Sequence, residues 1–276
     1  MEIRHTVSPN EMQSFSTNAI RKNFLITTLL EAEKIHFVYS HYDRTMIGGA
    51  MPVYEKLRLP DYESLKSAFF LKRRELGIIN VGGKGRIEAS GHTYQLSKLD
   101  CLYVGQGTEM VSFESAEPTD PACFFMLSAP AHQPYATRLL TSHEATPVKM
   151  GAAETSNQRT IYKYIHAEGI QSCQLVMGLT VLETGSVWNT MPAHVHDRRM
   201  EAYFYFDLPE QHRVFHLMGQ PEDTRHIVVG NHQAVVSPPW SIHSGCGTSN
   251  YSFVWGMAGE NMDFSDMDFV DIADLQ

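Results

Sequence analysis

The chain has 276 residues, 43% hydrophobic and 19% charged, a globular composition long enough for one large domain or two of ordinary size. Acidic residues outnumber basic ones 31 to 22, for a net charge of −9. That disfavours nucleic acid as a partner, which needs a basic field, but leaves room for a local arginine pocket around a small anion. No apolar run approaches the roughly 20 residues of a membrane helix, and the polar opening MEIRHTVSPNEMQSF lacks the apolar stretch of a signal peptide. The cysteines, Cys101, Cys123, Cys173 and Cys246, form no C-x-x-C pair. The expectation is a cytoplasmic protein with reduced thiols and no membrane partner.

In chain order, Ser8-Pro9-Asn10-Glu11 fits a capping box with proline at the first helical position, so a short helix should follow. A second helical stretch is expected from Phe24 to Glu33. From there IHFVYSHYD, GIINVGG, GRIEASG, HTYQLSKLDCLYVG and MVSFESA read as short strands broken by glycine. Gly48-Gly49 and Gly82-Gly83 read as tight turns, since no Lys-Ser/Thr follows to make a phosphate loop. Residues 141–157 (TSHEATPVKMGAAETSN) are small and polar, like a linker. After them IYKYIH, SCQLVMGLTVLE, AYFYFDL, RVFHLMG, RHIVVG, QAVVSPP and YSFVWGM are again strand-like. The acidic tail should pack on the surface through Met262, Phe264, Met267 and Phe269. Evenly spaced short strands predict an all-β chain of two jelly-roll barrels with a few short helices. The boundaries expected are 1–140, a linker at 141–157, and 158–276. The rhythm of GIINVGGKGRIEASGHTYQLSKLDCLYVGQGT returns faintly in RVFHLMGQPEDTRHIVVGNHQAVVSPPW.

The second half holds MPAHVHDRRMEAYFYF. Residues i and i+2 of a strand share a face, so His194 and His196 aim two imidazoles at one point. Glu201 follows after five residues, which requires a bend at Asp197-Arg198-Arg199 to return it to the ligand face with Tyr203 and Tyr205. A distant strand running through Pro238-Pro239 reaches His243. Neutral imidazoles and a carboxylate suit zinc, iron, manganese, nickel or cobalt. His216, His226 and His232 lie in strands or turns without evident partners. The first half has no such set, and reads as a scaffold.

Gly185, the His194-Val195-His196-x4-Glu201 segment and Pro238-Pro239-Trp240-Ser241-Ile242-His243 resemble the two motifs of the cupin superfamily, with Trp240 in the usual glycine position. Longer blocks extend from RKNFL, HYDRTMIGGAMP and RRELGIINVGGKG to NTMPAHVHDRRMEAYFYFDLPE, VSPPWSIHSGCGTSNYSFVWGM and DMDFVDIADL. They make the chain similar to the 5-keto-4-deoxyuronate isomerase family over its whole length. The resemblance implies a double-barrel subunit in a homohexamer. It implies one Zn2+ per subunit on His194, His196, Glu201 and His243. It also implies aldose–ketose isomerisation of a uronate released by pectin breakdown. The base is open between Tyr203, Tyr205, a metal-bound hydroxide and a residue of the first half, with Glu201 the weaker choice because a ligating carboxylate is a poor base. Arg198, Arg199 and Arg44, with Arg73 and Arg74, are candidates for the substrate carboxylate, each competing with a surface or intersubunit ion pair. The residues without the resemblance also admit a cupin-type dioxygenase or a non-catalytic sugar-binding barrel.

Overall fold

A computed structural model describes residues 1–260 and 263–276. The chain divides into two compact units that interleave in sequence. One comprises residues 1–4, 28–146 and 163–177, the other residues 5–27, 147–162 and 178–276. Residues 141–157 include a strand, Val148–Met150, which pairs with Arg159–Ile165.

The amino-terminal capping box forms. Ser8 Oγ accepts from the Glu11 amide at 3.3 Å, and Glu11 accepts from the Ser8 amide at 2.8 Å, opening the helix Pro9–Met12. The second helix differs from expectation, running Thr17–Phe24 and not Phe24 to Glu33. Ser16 caps it by accepting from the Ala19 amide, and Ile20 and Phe24, four residues apart, bury one stripe. The β-branched run that follows favours extended backbone, and Leu25–Ile26 joins a sheet by pairing with Ala234 and Val235.

The first unit is a seven-stranded sheet in the order Glu2–Arg4, Ile35–Ser40, Met46–Ala50, Phe124–Pro130, Arg74–Asn80, Cys101–Val104, Arg138–Leu140. It faces a four-stranded sheet ordered Leu57–Arg58, Val111–Ser115, Gly85–Ala89, His92–Leu96. Phe37, Leu76, Ile78 and Met126 from the large sheet meet Ile87, Phe113 and Leu96 from the small one in a common core. The second unit repeats the plan. Its large sheet runs Val148–Met150, Arg159–Ile165, Val176–Leu182, Ser252–Gly259, Arg199–Phe206, Ala234–Ser237, Leu25–Ile26, and its small one Trp188–Asn189, Ser244–Gly247, Val214–Gln220, Asp223–Val229. This is the all-β double cupin-like architecture, built of facing sheets that do not close into hydrogen-bonded barrels.

The shared strand order sets the equivalence between the units. Arg74–Asn80 corresponds to Arg199–Phe206, because Leu76 pairs with Val104 as Glu201 pairs with Ser237. Apolar Leu76 thus stands at the register of Glu201, and Arg74 at that of Arg199. The sequence echo is real but displaced: Gly85–Ala89 and His92–Leu96 match the hairpin of Val214–Gln220 and Asp223–Val229.

Two buried features of the first unit depart from simple patterning. Gly48 and Gly49 lie inside a strand and not in a turn; a Cβ on Gly48 would stand 2.5 Å from the Phe37 ring and one on Gly49 2.5 Å from the Leu29 carbonyl. Glu75, fully buried, accepts from the Tyr103 hydroxyl at 2.7 Å and from the amides of Cys173, Gln174 and Leu175 at 2.7, 2.8 and 3.0 Å. The carboxylate thereby satisfies three backbone donors of a segment distant in sequence.

Candidate metal centre

Three separate stretches of the second unit carry the predicted ligands. His194 begins the short strand His194–Val195, which pairs with Asp268–Phe269 of the tail. A turn at Asp197 and Arg198 then reverses the chain, and Glu201 enters the middle of the large sheet between Ser237 and Met257. His243 comes from the loop after Pro238. Its Ser241 amide donates to the Pro238 carbonyl at 3.0 Å, and Ser241 Oγ accepts from the Gly219 amide at 2.9 Å. Trp240, the residue in the glycine position of the motif, anchors this loop. Its indole donates to the Val7 carbonyl at 3.2 Å and meets Phe24 edge-on at 6.5 Å.

The four side chains converge. One ligand atom from each of His194, His196, Glu201 and His243 lies within 4.8 Å of the other three. Glu201 Oε2 is 3.1 Å from both His196 Nε2 and His243 Nε2, and His243 Nε2 is 3.0 Å from His194 Nε2. His196, Glu201 and His243 are at most 3% exposed, and His194 is half-buried. His196 Nδ1 faces the Arg199 carbonyl at 3.0 Å and His243 Nδ1 faces the Ser241 carbonyl at 3.3 Å. A carbonyl only accepts, so each Nδ1 carries a proton, and in the neutral ring Nε2 holds the lone pair that a cation would take. Burial pulls His194 below the usual imidazole range and His243 well below it, the latter reinforced by the neighbouring imidazoles. At His196 burial acts the same way, but the hydrogen bond and charge of Glu201 outweigh it and the net shift is upward. Neutral nitrogens 3.0 Å apart repel unless a cation lies between them. Three such nitrogens and a carboxylate fit a divalent first-row ion.

Around this cluster the interior is polar. Tyr203, on the Glu201 face of its strand, shares a hydrogen bond with Thr190 at 3.0 Å and lies 5.6 Å, ring to ring, from His243. Burial holds the hydroxyls of Tyr203 and Tyr205 protonated far above neutrality. Tyr205 Oη shares a hydrogen bond of 2.7 Å with His216 Nδ1, and in the tautomer where the phenol donates, the His216 proton sits on Nε2. Burial lowers His216 to about 3, keeping it neutral. His216 Nε2, Asn189 Oδ1 and Ser237 Oγ are buried without a partner among the described residues. Sequence reasoning passed over His216; its alternation with Val214 and Met218 on one strand was the available signal for an inward imidazole.

The arginines separate. Arg198 is exposed and pairs with Glu260 at 2.9 Å. Arg199 is fully buried on the Glu201 face of its strand, and its charge is felt at His194 and His196. Its Nη2 donates to Asp266 at 2.6 Å, while Nε and Nη1 find no acceptor among the described residues. Arg44 belongs to the first unit, as do Arg73 and Arg74. Of the tail residues expected to pack, Phe264 is half-buried, edge-on to Trp255 at 6.1 Å and over Arg199 at 5.8 Å, and Met267 is partly buried. Phe269 is 68% exposed, yet its ring meets His194 at 5.7 Å. Met262 lies outside the described residues. No helix among the described residues is long and apolar enough to cross a membrane.

A sequence model of the KduI/IolB family matches residues 25–273. Proteins named 4-deoxy-L-threo-5-hexosulose-uronate ketol-isomerase from Shouchella clausii (strain KSM-K16) and Halalkalibacterium halodurans are 55% and 54% identical over 276 residues, covering all of both chains. Among solved structures, an IolB-like protein from Salmonella typhimurium LT2 superposes with a TM-score of 0.73 at 18% identity, over 90% of this chain and 97% of that one. Vicilin from tomato gives 0.55 at 10% identity, over 82% and 77%. At these identities the two structures establish the fold alone.

Proposed function

This chain belongs to the KduI/IolB family, and on that premise we propose that it is an aldose–ketose isomerase. The substrate is 4-deoxy-L-threo-5-hexosulose uronate, also called 5-keto-4-deoxyuronate, and the product is 3-deoxy-D-glycero-2,5-hexodiulosonate, in the breakdown of pectin. The observation that carries the reading is the convergence of His194, His196, Glu201 and His243 in a chain alignable end to end with relatives named for this reaction. The net change moves one hydrogen from C2 to C1 and one hydroxyl proton from O2 to O1, with no external oxidant. A divalent cation at the four ligands supplies Lewis-acid polarisation of the carbonyl and its neighbouring hydroxyl. Zinc suffices, since no redox change is needed, and we assign one per subunit.

The chain's own residues define the rest. Arg199 is buried and keeps Nε and Nη1 without an acceptor among the described residues, donors a substrate carboxylate would engage; it is favoured over solvated, paired Arg198. Tyr203 and Tyr205, held as phenols, are not the base of the resting site. His216 is neutral and its Nε2 has no partner among the described residues; with Tyr205 donating to Nδ1, that Nε2–H would suit a developing oxyanion. Glu201 is engaged by two imidazoles and is poorly placed to accept the C2 proton. The same reading includes a cytoplasmic homohexamer, tested by light scattering.

The test is anaerobic incubation of metal-replete protein with freshly made 5-keto-4-deoxyuronate, with the aldehyde carbon followed by NMR. Loss of the aldehyde and growth of ketose signals are expected, with no oxygen uptake in a parallel aerated sample. Oxygen consumption would point to a dioxygenase, and an unchanged substrate would end the isomerase reading.

A further inference from the structure

We propose that the first unit carries a second ligand site, for a small oxyanion-bearing metabolite, in the cavity walled by Arg44, Arg73 and Arg74. The cavity encloses about 310 Å³, at the small end of metabolite pockets, and none of the described residues that line it is acidic. Its remaining walls include Tyr39, His41 and apolar Leu65 and Pro130. In a chain of net charge −9, three guanidinium groups on one concave surface run against composition.

The cluster is built into the fold. Arg74 is 6% exposed, and its Nε and Nη2 are fixed by Ser128 Oγ at 3.0 Å, the Ser128 carbonyl at 2.8 Å and the Arg44 carbonyl at 2.7 Å. Its guanidinium carbon lies 6.0 Å from the Tyr39 ring centre. None of the three arginines is ion-paired at hydrogen-bonding distance among the described residues, and Arg73 donates only to the Lys66 carbonyl, at 3.0 Å. Arg44 is held in a two-residue hairpin turn in which Asp43 and Arg44 both have positive φ, 48° and 52°. The Thr45 amide closes the turn on the Tyr42 carbonyl at 3.2 Å. Glycine or asparagine is favoured at such positions, so an arginine there is held at a local cost. That turn delivers the Arg44 carbonyl to Arg74.

The equivalence between the units adds an independent argument. Arg74 occupies the register of Arg199. In the second unit the buried guanidinium is ion-paired with Asp266, whereas Arg74 feels the charge of Glu75 without an ion pair, and the described residues that wall its cavity include two further arginines and no carboxylate. Mutual repulsion among these cations is relieved by a bound anion. Forked N–H donors match either a carboxylate or a phosphate monoester, the chemistry common to sugar acids and sugar phosphates.

Isothermal titration of the metal-loaded, full-length protein with inorganic phosphate and, separately, D-galacturonate tests this. The expected result is one oxyanion bound per chain, retained in His243→Ala and weakened at least about tenfold in the double variant Arg44→Ala/Arg73→Ala. Both substituted side chains are exposed, so the double variant should melt with the wild type. Arg73→Glu alone, which reverses one charge, should reproduce the loss. Tighter phosphate identifies a phosphorylated ligand, and tighter galacturonate a sugar acid. No heat with either anion at millimolar concentration, binding unchanged in the arginine variants, or binding abolished by His243→Ala would overturn the proposal. The last outcome would place the ion at the metal centre.

Discussion

Replacing Asp266 with alanine should destabilise the second unit and loosen the tail beside His194. Arg199 has no exposed side-chain surface, Asp266 is 9% exposed, and their 2.6 Å contact is the only side-chain hydrogen bond of Arg199 among the described residues. Removing the carboxylate takes away the counter-charge in direct contact with a buried guanidinium, a loss of about 3–5 kcal/mol when one partner of such a pair is deleted. For a chain of this size that corresponds to roughly 6–12 °C in melting temperature at the lower figure. The tail is tied to the site by this pair, by Phe264 against Trp255, and by the pairing of Asp268 and Phe269 with Val195 and His194. Differential scanning calorimetry with hydrogen exchange over residues 263–276 reads both effects. A melting temperature within about 1 °C of wild type, with unchanged exchange, would refute the argument that Asp266 neutralises a buried charge. The double variant Arg199→Met/Asp266→Leu should recover much of the stability but none of the substrate affinity.

Arg199→Lys should raise KM at least about tenfold, since an ammonium cannot hold Asp266 and replace the guanidinium donors left without an acceptor among the described residues, while Arg198→Ala should leave KM within about twofold; steady-state kinetics on both separates them. His216, lowered to about 3 against an unfolded imidazole near 6.5, contributes stability that is complete above that unfolded value and lost as pH falls towards 3. Urea titrations should show the wild type losing a few kcal/mol across that window, at about 1.4 kcal/mol per pH unit, and His216→Gln losing distinctly less. Glu75→Gln in the first unit should cost about 2–4 kcal/mol, because an amide brings buried donors where four donors already converge; an unchanged urea midpoint would contradict that.

The site was legible where the chemistry is local. His194 and His196 sit two apart, the turn at Asp197 and Arg198 was demanded by the odd spacing to Glu201, and His243 follows a proline-marked loop. What escaped is non-local. Leu25–Ile26, itself part of the second unit, pairs with a strand over 200 residues later, which no local pattern encodes. The pairing of His194 with Phe269, and of Arg199 with Asp266, likewise depends on where the tail returns. The second helix ends where the sequence places its start, because Phe24 closes the Ile20–Phe24 stripe of the helix Thr17–Phe24. Trp240 looked like a defect of the motif, and only its contacts with Val7 and Phe24 explain it.

The central claim is that one metal ion at His194, His196, Glu201 and His243 supports isomerisation. Its most direct test is to strip the protein with chelator and titrate zinc back anaerobically while following turnover of 5-keto-4-deoxyuronate. Activity should rise linearly and break at one equivalent per chain, and His243→Ala should recover none of it. Full turnover by the stripped protein, or by His243→Ala, would contradict the account.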